Sequence, residues 1–177
     1  MRNHLIVSAL ALGLAACGGG GGENAAAEEE AAAPVDTFLP GNFVIRTEVT
    51  ALDSVDDGEP ATASGMGDTR EIQVCVGEDG LLPAAAFGED GDDCTIENPY
   101  QRKGRLRQQL VCNRSAGQVN LQVEADFTAE GVEGTVRSGS AFAGEGDYQM
   151  TRSITGERTG DCTQAEAEGD LDTPVEE

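Results

Sequence analysis

The side chains that could do chemistry in this chain fall into three groups: cysteines, one basic cluster and two acidic turns. Five cysteines stand at Cys17, Cys75, Cys94, Cys112 and Cys162. Cysteine can take a lipid, close a disulfide, ligate a metal or cycle as a redox dithiol, and spacing separates these uses. No C-x-x-C pair occurs, which is the spacing of redox dithiols and of many zinc sites. The basic cluster is Arg102, Lys103, Arg105, Arg107 and Arg114, crowded into a chain of net charge −22. Guanidinium forks suit phosphate and carboxylate, so the cluster is a candidate anion patch. The plainer reading is a solvent face that balances acids on neighbouring strands. The first acidic turn offers Glu89, Asp90, Asp92 and Asp93 as weak calcium ligands. It fails the EF-hand pattern, because the third ligand position would be Cys94 and the glycine position Thr95. Asp53, Asp56, Asp57 and Glu59 form a second acidic turn of the same kind.

Several chemistries are excluded. The one histidine is His4, inside what reads as a cleaved leader, so the mature chain has no imidazole for a triad, a general base or a metal site. No G-x-S-x-G motif occurs. Nucleic acid is repelled by the acidic charge, and no aromatic platform accompanies the basic cluster. No catalytic residue, resident metal or cofactor is expected, and an enzyme is the least favoured reading.

Arg2, an apolar run over residues 5–16 and the ending Leu14-Ala15-Ala16-Cys17 have the order of an export signal. The run is too short to span a bilayer. L-A-A-C looks like a bacterial lipobox, which predicts cleavage after Ala16 and acylation of Cys17. The alternative is an ordinary leader followed by a chance cysteine. By resemblance to lipoprotein sorting signals, Gly18 at the next position, rather than Asp, implies the outer membrane; the periplasmic side is the expected one, with the cell surface left open. Residues 17–37 then read as the acylated cysteine and a flexible Gly/Ala/Glu tether. Residues 163–177, with Glu166, Glu168, Asp170, Asp172, Glu176 and Glu177 and no base, read as a disordered acidic tail.

The domain between them spans residues 38–162, and its period is two. Phe43, Ile45, Thr47 and Val49 alternate with polar neighbours. So do Ile72 to Val76, Leu106 to Cys112, Val119 to Phe127 and Tyr148 to Ile154. A short helix or turn fits Leu82–Phe87. Alternation with one wet face predicts an all-β fold: an antiparallel meander of five to eight strands that curls into a half-barrel or small barrel. With Cys17 acylated, four cysteines remain in an exported chain, which implies two disulfides and three connectivities. Cys75–Cys94 and Cys112–Cys162 are preferred, because they close a poorly ordered loop and pin the last strand.

The domain opens Pro40-Gly41-Asn42-Phe43 and closes Gly156-Glu157-Arg158-Thr159-Gly160-Asp161-Cys162, with Cys75, Cys94 and Cys112 in order between. This resembles a family of small exported bacterial proteins classed as domain of unknown function 3617. That family often has Trp where Phe43 stands here. The resemblance implies a disulfide-bonded β domain and supplies no activity or ligand. The expected function is a non-enzymatic envelope lipoprotein that binds a protein or a small apolar ligand on a curved sheet. A purely structural or stress-related surface lipoprotein is the alternative. The membrane is the expected partner through Cys17.

Overall fold

The structure, a computed structural model, describes residues 34–162. The leader, Cys17, the tether up to residue 33 and the tail from residue 163 lie outside the described residues. The described residues form one antiparallel sheet: β1 (Gly41–Ser54), β2 (Thr69–Val76), β3 (Asp93–Arg102), β4 (Arg105–Arg114), β5 (Gly117–Phe127), β6 (Gly131–Phe142) and β7 (Tyr148–Gly160). The strand order is β2-β1-β7-β6-β5-β4-β3. Strands β3 to β7 are thus a meander, and β1 closes onto β7 at long range. Consecutive strands β2 and β3 lie at opposite edges, so the chain between them must cross the open side of the curled sheet.

That crossover, residues 77–92, fills the half-barrel. It contains a 3₁₀ turn at Ala84–Ala86, inside the segment expected to turn, and buries Leu82, Ala86 and Phe87 completely. These meet the inward set of the strands, including Phe43, Ile45, Leu106, Leu110, Leu121, Val136 and Ile154. Phe38 joins from the N-terminal side, edge-on to Phe43 and 4.6 Å from Phe127 between ring centres. Packing starts slightly before the expected boundary at residue 38. Val35 packs on the core, and its carbonyl accepts from the Gly104 N–H at 2.7 Å. Asp36 accepts from the Lys103 N–H at 2.8 Å. Lys103 and Gly104 both have positive φ, 53° and 71°, the geometry of a tight β-hairpin turn.

The seven strands fall within the expected five to eight, but two of them, β3 and β6, lie outside the alternating runs. β3 alternates poorly, carries Pro99 and has a bulge between Ile96 and Asn98; an edge strand tolerates both features. β6 is built on Gly131, Gly134, Ser138, Gly139 and Ser140, so its inward phase has little apolar signal. Small residues are needed there, because a Cβ on Gly134 would overlap the Glu124 carbonyl and the Ala125 side chain.

The cysteine pairing differs from the preferred one. The disulfides are Cys75–Cys162 and Cys94–Cys112. Cys94 lies on β3 directly opposite Cys112 on β4, so the unforeseen strand supplies the partner. Cys75 is out of phase with the buried Val74 and Val76. Its bond to Cys162 crosses the start of β1, where Asn42 pairs with both Cys75 and Gly160.

Candidate functional site

At one end of the half-barrel the crossover does not reach the sheet, and a polar cleft of about 920 Å³ remains. Its floor is the inward phase of β1, β2 and β7, through Thr47, Arg70 and Arg152. Its walls are the β1–β2 loop, with Thr62 and Ser64, and the end of the crossover, with Glu89 and Asp92. Glu89 is the hub. One carboxylate oxygen accepts from the Thr62 and Ser64 hydroxyls, both at 2.6 Å. The other accepts from Arg114 and from the Tyr148 hydroxyl, the latter at 3.0 Å. Asp92 holds the other edge of Arg114, 2.5 Å from its Nε, and accepts from the Glu89 N–H at 2.9 Å. Burial alone would raise the Glu89 pKa, but the hydrogen bonds from Ser64, Thr62 and Arg114 outweigh it and hold the carboxyl at about 2. Burial and the Glu89 charge push Tyr148 up to about 12. Arg114 is opposed by burial, yet its bonds to Asp92 and Glu89 raise its pKa.

Arg152 lies under this network with only 2 % of its surface exposed. Its two Nη groups donate to the carbonyls of Phe87 and of Gly88. Its Nε–H has no acceptor, and burial lowers its pKa. Arg70 donates to the same Gly88 carbonyl at 3.0 Å and to Asp90 at 2.7 Å.

This geometry corrects the sites expected from sequence. The calcium candidates do not converge on an open position. Arg114 fills the place a cation would take between Glu89 and Asp92, Asp90 turns to Arg70, and Asp93 stands exposed on β3 opposite Asn113. The basic cluster splits by phase. Arg105 and Arg107 point outward and are exposed, whereas Arg114 is on the inward phase at the far end of β4, roughly 24–31 Å away at ~3.4 Å per residue. Arg102 pairs with Arg105 in register, beside the exposed Lys103. On β5 Asp126 and Glu124 stand opposite Arg105 and Arg107 in register, while Glu124 is ion-paired with Arg137 at 3.5 Å. In the second acidic turn, Asp56 accepts from the N–H groups of Gly58, Gly146 and Asp147, which lower its pKa. Asp53, Asp57 and Glu59 are exposed. Asp92, Cys94 and Cys112 cluster closely enough to hold a metal, but the two sulfurs are bonded to each other and offer no thiolate.

The two terminal motifs meet in space. Gly41, in the opening P-G-N-F, has φ 146°, and a Cβ there would overlap the Gly160 carbonyl and the Arg158 guanidinium. Arg158 donates to the Pro40 carbonyl at 2.9 Å and to Asp161 at 2.7 Å. Opening and closing motifs are therefore one joint, locked by Cys75–Cys162. The family described as a protein of unknown function, DUF3617, matches residues 38–162. The chain belongs to the DUF3617 family. No curated protein and no solved structure matches it.

Within this DUF3617 domain, sequence reasoning missed Thr62, Ser64, Arg70 and Arg152 as cleft residues and Tyr148 as the buried hydroxyl behind Glu89. One signal was present for Arg152. It falls on the inward phase with Tyr148, Met150 and Ile154, and an arginine in an apolar phase marks a buried charge.

Proposed function

We propose that this DUF3617 protein is exported, held on the outer membrane by lipid at Cys17, and acts as a non-catalytic binding module whose ligand sits in the polar cleft. The cleft carries this reading. Its volume of about 920 Å³ is within the range of ligand pockets, ~300–1,000 Å³, and a buried guanidinium lies under it. The concave apolar face is occupied by Leu82 and Phe87, which favours a small polar ligand over an apolar one. Two disulfides fit an oxidising compartment and hence export. Glu89, held at about 2, is ionised near neutrality and engaged by four donors, so it is unsuited to be a general acid. The alternative, a structural lipoprotein without a ligand, draws on the same network, because Glu89 and Arg114 satisfy each other.

Native mass spectrometry of the protein taken from envelopes separates the two. A bound polar mass is expected on the native protein. It should be lost in Ala63→Trp, which fills the cleft from an exposed wall position. A bare protein, or an adduct that Ala63→Trp retains, would leave the structural reading.

A further inference from the structure

We propose that the cleft is an oxyanion site, in which Arg70 takes the phosphate or carboxylate group of a small polar ligand above the buried charge of Arg152. This rests on the binding-module reading and names its ligand class. A guanidinium withdrawn from water needs a counter-charge, and leaving it without one is costly. Arg114 has two carboxylates. Arg152 makes no direct ion pair among the described residues: its Nη groups bond two backbone carbonyls, its Nε–H is orphaned, and the Glu89 and Asp92 charges that reach it through space are already bonded to Arg114.

Arg70 adds a second positive charge at the same spot, since both guanidinium groups donate to the Gly88 carbonyl. Its one acidic partner is Asp90, whose side chain is 86 % exposed. Such an exposed ion pair is worth little, so an arriving oxyanion can displace it. The Nη2 of Arg70 has no acceptor among the described residues. It gives the incoming group an N–H to meet, in the planar fork that suits oxyanions. The rest of the lining includes the hydroxyls of Thr47 and Thr69, the Asp68 carboxylate, which is held by the Gly65 N–H at 2.7 Å, and no aromatic ring. The body of the ligand is therefore polar and hydrogen-bonded rather than stacked.

The test is a titration of the full chain, disulfides intact, followed by amide NMR. The probes are inorganic phosphate, succinate and, as neutral control, glucose. Phosphate, succinate or both should shift the amides of Arg70, Gly88 and Asp90, while glucose leaves them in place. A response to phosphate alone assigns a phosphoryl ligand, and a response to succinate alone assigns a carboxylate. Arg70→Gln should weaken the responding anion by about tenfold or more, the loss of a charge-assisted hydrogen bond. Asp90→Asn changes only an exposed group and removes the internal competitor, so it should tighten binding about two- to fivefold. Unchanged affinity in Arg70→Gln, or no gain in Asp90→Asn, overturns the assignment. If glucose or an envelope-derived neutral adduct occupies the cleft and neither anion does, the binding-module reading stands and the oxyanion site falls. No anion response and no adduct removes both.

Discussion

Glu89 joins four parts of the chain through one carboxylate: the β1–β2 loop, the crossover, the end of β4 and the start of β7. Replacing it with Gln leaves Asp92 as the one carboxylate on Arg114, beside the Tyr148 hydroxyl, and weakens the acceptor for Tyr148. The cost should be ~3 kcal/mol, near the lower end for breaking a buried pair, read as a lowered denaturation midpoint. The same carboxyl sets an acid limb. Its folded pKa, about 2, lies below its ordinary 4.5, so its contribution is complete above 4.5 and disappears as pH falls through 2. Tyr148 sets the opposite limb. Raised from 10.0 to about 12, it stabilises fully below 10 and is lost as pH rises through 12. Chemical denaturation across pH should show a plateau bounded by these limbs, and Glu89→Gln should flatten the acid one. Gln108 makes the opposite case. It is 3 % exposed on the inward phase of β4, and both amide atoms lack partners. An unpaired buried amide costs ~1–3 kcal/mol, so Gln108→Met, similar in volume, should stabilise by about 1 kcal/mol or more. A destabilised variant would mean that the amide holds a water or ligand atom.

At the scale of elements, legibility followed the contrast between inward and outward residues. β1, β2, β4, β5 and β7 show it, and each is a strand where the alternation put one. β3 and β6 lack it, one because an edge strand needs little core, the other because its inward residues are small. The site failed for the same reason. Without β3, Cys94 has no strand opposite Cys112, and the acidic turn has no Arg114 beside it. Phase alone would have separated Arg114 from Arg105 and Arg107. The close approach of β5 and β6 predicts that Gly134→Val, which pushes a branched side chain into the Glu124 carbonyl and Ala125, destabilises by ~1–3 kcal/mol, the usual cost of overpacking. The check is a thermal or denaturant melt. Disulfide mapping without reduction should recover Cys75 with Cys162 and Cys94 with Cys112. By the chain-entropy model the first, spanning 87 residues, contributes ~4–5 kcal/mol and the second, spanning 18, ~3 kcal/mol. Losing the Cys75–Cys162 bridge should therefore lower stability more.

The whole molecule is acidic, with a net charge of −22, and charge alone gives it no affinity for an anionic membrane surface. The basic face at Arg102, Lys103, Arg105 and Arg107 is small against this total, and Asp126 and Glu124 stand opposite two of its members in register. No helix among the described residues is long and apolar enough to cross a membrane. In the proposal, a covalent lipid at Cys17 supplies the attachment against electrostatic repulsion. A single acyl chain holds only marginally, whereas two or more hold stably, so the proposed anchor needs more than one chain. Two measurements follow from this, and they separate the anchor from the fold. Cys17→Ser should leave the protein soluble after envelope fractionation, or trapped as an uncleaved precursor, while its disulfide map and melting curve stay those of the native chain. Arg105→Gln with Arg107→Gln should leave membrane fractionation unchanged, because that face contributes no net attachment. Normal processing and unchanged membrane fractionation of Cys17→Ser would remove the lipid anchor from the proposal, and release by the double arginine variant would return the outer face of β4 to a role at the membrane.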